Sequence, residues 1–159
     1  MSADTYFERL NEILGKKKVL LQDMLSLTEA QTPAITSDSL DELQRLIEEK
    51  QQKIDAIDKL DAEFGVYFER LKTTLKVRKL EDIDASVSPA AGRLKEITAE
   101  ILELIGRISG IEKNNSVNSK KLLDTIGSKI KQLNQGKKIN NAYRAAPPSN
   151  ASYFLDKKK

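Results

Sequence analysis

Any chemistry in this chain has to come from lysine, tyrosine and carboxylate side chains, because its 159 residues include no histidine and no cysteine. Thiol zinc sites, disulfides, haem held by imidazole, cysteine nucleophiles and Ser-His-Asp triads are thereby excluded, and histidine phosphotransfer with them. What remains is two carboxylate pairs, Glu48/Glu49 and Asp55/Asp58, and two lysine runs, Lys16-Lys17-Lys18 and Lys157-Lys158-Lys159. The carboxylates lack the Glu-x-x-His partner of a di-iron site and read as solvated helix surface, with Glu49 spaced to pair with Lys53 at i,i+4. The first lysine run has no aromatic platform on which a base could stack. No catalytic, cofactor or metal site is assigned, and the chain reads as a non-enzyme.

The elements that carry these residues are helical. With 39% hydrophobic, 32% charged and 5% aromatic residues, 7 glycines and 4 prolines, the composition cannot supply the frequent turns of a sandwich or barrel. The formal charge of +3 is unevenly spread. From Lys137 onward six basic residues face one acid, Asp156, so the tail carries +5 and the first 136 residues −2. Such a body is a poor electrostatic footprint for nucleic acid. The N-terminal stretch MSADTYFERLNEIL has acids where a signal peptide needs a positive start, and no run approaches twenty apolar residues, which predicts a cytoplasmic protein without stable membrane insertion.

Three amphipathic stripes define the helices. The first places Tyr6, Leu10, Ile13, Leu20, Met24 and Leu27 in a 4-3 pattern broken at Lys17, and Pro33 should end it near Glu29 to Gln31. Ser2 or Asp4 can cap its start. Ser39-Leu40-Asp41-Glu42 reads as a capping box for a second helix. There Leu40, Leu43, Ile47, Ile54, Ile57, Phe64, Phe68, Leu71 and Leu75 repeat, with Lys50 and Asp61 filling the gaps. Residues 77–87 form a connector with room for one helical turn at Leu80 to Asp82. Ser88-Pro89 then starts a third helix as N-cap and first helical residue, with a stripe at Leu94, Ile97, Ile101, Leu104, Ile108 and Ile111.

Between Glu112 and Lys121 the only apolar residue is Val117, and the stripe resumes at Leu122, Ile126, Ile130 and Leu133. An 11-residue jump keeps a continuous helix in register, as a polar layer, but also suits a hinge. Gly106 and Gly110 stand one turn apart, which allows a close helix crossing or a local bend. The expected fold is all-α, an elongated antiparallel bundle of three long helices forming a coiled-coil-like hairpin. It occupies residues 1–136, with helices at about 3–31, 39–77 and 89–135, followed by a flexible basic tail at 137–159.

Two features are left over. The first helix is too short to cover the end of the third, so Leu122, Ile126, Ile130 and Leu133 would offer an open seam to an incoming amphipathic helix. A second copy or backfolding chain would serve equally well. The tail carries aromatics that a solvated segment does not need, Tyr143 and the Tyr153-Phe154-Leu155 cluster.

The long-helix hairpin followed by INNAYRAAPPSNASYFLDKKK resembles the FlgN-type flagellar export chaperones, particularly those of Gram-positive bacteria. The resemblance covers the whole chain as architecture and the last twenty or so residues as recognisable words. It implies a cytoplasmic chaperone without cofactor for type III protein export in flagellum biogenesis. Such a protein binds the C-terminal helices of the hook-filament junction proteins FlgK and FlgL, prevents their premature assembly and delivers them to the export gate. It also implies a tail tyrosine that contacts the cytoplasmic domain of the gate protein FlhA. Tyr143 matches best, with Tyr153 and Phe154 as competitors. The cargo face falls on Leu122, Ile126, Ile130 and Leu133. Rival readings are a structural coiled-coil homodimer, a tail-driven binder of nucleic acid or membrane, and an export chaperone for a different flagellar subunit.

Overall fold

A computed structural model describes residues 2–139, with side chains to residue 136. Three helices, α1 (Ala3–Ala34), α2 (Leu40–Leu75) and α3 (Pro89–Ile139), are joined by a short loop and by a connector containing 3₁₀ turns at Leu80–Asp82 and Ala85–Val87. Among the described residues there is no strand, and the fold is an all-α helical bundle.

Local chemistry explains three of the helix ends. The Ser2 hydroxyl accepts from the Thr5 amide at 3.3 Å and the Ser88 hydroxyl from the Ala91 amide at 3.2 Å, each satisfying an amide with no intrahelical partner. Pro89 follows at the first helical position. At the other end of α2, Lys76 takes a left-handed φ of 56°, so that the Val77 amide reaches back to the Lys72 carbonyl at 3.1 Å.

Two local expectations fail. Pro33 lies inside α1, which runs on to Ala34. A proline in the last turn forfeits one backbone bond, while Gln31 and Ala34 gain burial and Ala34 joins an apolar cluster with Leu43, Leu46 and Ile47. The box at Ser39 and Glu42 does not form. The Ser39 amide donates to the Thr36 carbonyl at 3.2 Å, and the Glu42 carboxylate is held by the Arg45 Nε at 3.1 Å. Of the two readings of Gly106 and Gly110, the close crossing is not taken up, since an added Cβ would meet nothing within 4 Å at either position.

Contacts divide the chain into two compact units. The first comprises the residues up to Ser26 together with Lys50–Ser109. Apart from the buried Lys50 its core is apolar: Phe7, Leu10, Ile13, Leu71 and Leu94 are all but fully buried, and Ile83 of the connector joins the buried set. Each fully buried side chain of this size contributes about 1.5–3 kcal/mol. Cross-helix pairs fix the directions. Arg9 meets Glu63, Lys17 Nζ lies 2.7 Å from Asp61 Oδ1, and Lys53 Nζ lies 3.6 Å from Asp23 Oδ2, so α1 and α2 run antiparallel. Glu8 pairs with Arg93, Asn11 Nδ2 donates to the Ala90 carbonyl at 3.0 Å, and Lys18 meets Glu100, so α1 and α3 run parallel. Lys17 and Asp61, the residues that break the apolar stripes of α1 and α2, are each other's partners.

The second unit comprises Leu27–Glu49 and the chain from Gly110 on. Its apolar cluster, Ala34, Leu43, Leu46 and Ile47 with Leu27 and Ile35 packed against it, closes the turn between α1 and α2. Beside that cluster its buried set is polar: Thr28, Gln31, Asn115 and Ser119.

Candidate functional site

The stretch from Glu112 to Lys121 is continuous helix, and the gap in its apolar stripe is filled by polar side chains. Asn115 and Ser119 stand four and eight residues beyond Ile111, on the helical path from Ile111 to Leu122, and both are buried. Asn115 Nδ2 donates to the Thr28 carbonyl at 3.1 Å, and the Thr32 hydroxyl donates to Asn115 Oδ1 at 2.7 Å. Both ends of the amide are therefore satisfied, which is the condition for burying it without a penalty of about 1–3 kcal/mol. Val117, the sole apolar residue of the stretch, is exposed.

This layer marks where α3 loses its cover. α1 ends at Ala34, two residues past Thr32, while α3 continues to Ile139. Ser119 is the last buried residue of α3 among those described. Leu122, Leu123, Ile126 and Ile130 are half-buried, and Leu133 is 65% exposed. Leu122 to Leu133 spans about three turns, or about 17 Å of helix, and presents one apolar residue per turn, the surface that a single packed helix covers. Leu123, three residues before Ile126, widens the stripe and was not anticipated. The tail residues Tyr143, Tyr153 and Phe154 lie outside the described residues.

A second surface, in the first unit, was also not legible from the stripes. A groove of about 750 Å³ runs between α1 and α2, with Val19, Leu20, Ala56 and Leu60 along it and Lys16, Asp55, Lys59 and Glu63 among the polar residues that line it. Val19 is 56% exposed there. It stands apart from the α1 stripe, and an exposed β-branched residue on an otherwise polar face was the one available signal. Nearby, Tyr67 lies under the Arg9 guanidinium at 5.5 Å and the Arg70 guanidinium at 5.4 Å.

The polar candidates for chemistry are engaged in surface pairing. Lys16 lies 3.8 Å from Glu12, Lys17 pairs with Asp61, and Lys18 with Glu100, so the lysine run points three ways and neutralises three acids. Glu49 pairs with Arg45, correcting the expected Glu49–Lys53 pair, since Lys53 reaches across to Asp23 on α1. Asp55 accepts from Gln51 Nε2 at 3.0 Å. Among the described residues no group of three or more His, Cys, Asp or Glu is gathered to hold a metal ion, and no helix is long and apolar enough to cross a membrane.

The chain has no match among curated proteins or solved structures. A family model does match: that of the FlgN protein, over residues 1–147, which takes in all three helices and Tyr143 and stops before Tyr153. With nine-tenths of its length inside that match, the chain belongs to the FlgN family.

Proposed function

We propose that the chain is a cytoplasmic flagellar export chaperone that holds the C-terminal amphipathic helices of the hook-filament junction proteins FlgK and FlgL on the distal face of α3. The observation that carries this reading is the incompletely covered stripe Leu122, Ile126, Ile130 and Leu133 in a chain of the FlgN family. Such a stripe suits a second amphipathic helix, which would bury its own aggregation-prone face in docking. No bond is made or broken, and no cofactor takes part.

Delivery to the type III export gate falls to the tail. Tyr143 is the proposed contact to the FlhA cytoplasmic domain, and its place inside the family match, which Tyr153 and Phe154 lack, supports that choice. A gate anchor tethered to a cargo-binding body raises its own effective concentration at the gate.

Isothermal titration of the purified chain with the C-terminal helices of FlgK and FlgL tests the reading. Saturable binding with a negative heat-capacity change is expected, since apolar faces become buried. Tyr143→Ala should leave that binding intact and weaken docking on FlhA. No binding of either helix, together with a tight homodimer in native mass spectrometry, would replace the chaperone by a structural coiled coil. Binding of another flagellar subunit alone would reassign the cargo.

A further inference from the structure

The charge around the distal face of α3 narrows what can dock there. Among the side chains described from Lys120 to Gly136 there are four lysines, Lys120, Lys121, Lys129 and Lys131, and one acid, Asp124, all exposed. Among the described residues, no ion pair engages any of these four lysines. Lys129 falls three residues after Ile126 and four before Leu133, so helical geometry places it on the rim of the stripe. The α1–α2 part of the same unit has the opposite balance: Leu27–Glu49 contains six acids and one base, Arg45. Among the described side chains of that unit, the basic surplus thus falls on the helix segment whose apolar stripe is least covered.

From this we propose that the distal face of α3 selects amphipathic helices whose apolar stripe is flanked by aspartate and glutamate. The proposal rests on that face being the cargo surface and adds the chemistry of the cargo. The stripe supplies affinity by burial, while Lys129 at its edge rejects a basic-flanked helix through like charge, and the basic field it shares with Lys120, Lys121 and Lys131 speeds the approach of an acidic one. A peptide helix is favoured over an anionic membrane or nucleic acid because Lys129 borders a narrow row of leucine and isoleucine, with Lys120, Lys121 and Lys131 further round the same helix. A polyanion alone would not use that row.

The test uses the full chain and two synthetic amphipathic helices that share one Leu/Ile stripe and differ only in carrying glutamate or lysine at the flanking positions. The glutamate-flanked peptide should bind about tenfold more tightly at low salt, a ratio that shrinks as salt rises to about 0.5 M. In the quadruple variant K120E/K121E/K129E/K131E the preference should invert, and the single Lys129→Glu variant should reduce it. Equal binding of both peptides, or a preference that survives charge reversal, overturns the proposal. If both peptides bind equally and both are lost in Ile126→Asp, the docking face stands and only the charge assignment falls. If neither binds, the cargo reading falls with it. Tighter binding to phosphatidylserine vesicles than to the glutamate-flanked peptide assigns the lysines to a lipid surface and overturns the proposal.

Discussion

Leu94, Ile101, Leu104 and Ile108 are buried, whereas Leu122, Ile126 and Ile130, on the same stripe of the same helix, are half-covered and Leu133 is largely exposed. Residue type and spacing do not distinguish the two segments. Their neighbours do: α1 accompanies α3 as far as the layer where Thr28 and Thr32 meet Asn115, and two residues after Thr32 it ends. An amphipathic pattern shows that a helix has a face to bury. Only the lengths of the other helices decide whether the face is core or docking surface.

The largest effect should come from the buried segment. Leu94→Ala removes a side chain with no exposure and should cost about 2–5 kcal/mol, read from denaturant unfolding. Asn115→Ala comes next. It removes the amide's bonds to the Thr28 carbonyl and the Thr32 hydroxyl and should cost about 1–3 kcal/mol by the same measurement. Leu133→Ala should fall below about 0.5 kcal/mol, as expected of a surface position. A large loss there would show that the distal stripe is ordinary core. Ile126→Asp sharpens the comparison further, because it should weaken cargo binding while the circular dichroism melt stays cooperative.

The smallest effect is that of pH. The Arg45 guanidinium holds the Glu42 carboxyl below its ordinary value of 4.5, and the Ser86 amide and hydroxyl hold Asp84 below 3.8. Both folded-state values are depressed, so their contribution is present above the ordinary values and is lost as pH falls through the folded ones. Both groups are exposed, and the acid-side decline should be slight. The pair E42Q/D84N should flatten it in melts taken from neutral pH to about pH 2.

The helices were legible in the sequence because their signals are local. The stripes placed Leu94, Ile101, Leu104 and Ile108 on one face, and Ser88-Pro89 marked the start of α3 to the residue. The Leu80 to Asp82 turn was legible in the same way. What escaped is non-local. The polar Asn115, read as a gap in the stripe, became a buried side chain only because a carbonyl and a hydroxyl on α1 stand opposite it. Pro33 was read by its own conformational bias, which the cluster of Ala34 with Leu43, Leu46 and Ile47 overrides. Lys17 and Asp61 were read as separate interruptions, and their pairing depends on the register between two helices. Of the candidate site, the distal stripe was legible and Lys129 at its edge was present in the sequence, whereas the α1–α2 groove at Val19 required the packed helices.

Amide hydrogen exchange on the full chain, with and without the C-terminal helices of FlgK and FlgL, tests the central claim most directly. In the free protein, amides around Leu94 to Ile108 should be protected and those from Lys120 to Gly136 should exchange faster. On adding cargo, protection should rise from Lys120 to Gly136. Protection that rises instead along the α1–α2 groove at Val19 and Leu60, with the distal segment unchanged, would contradict the account.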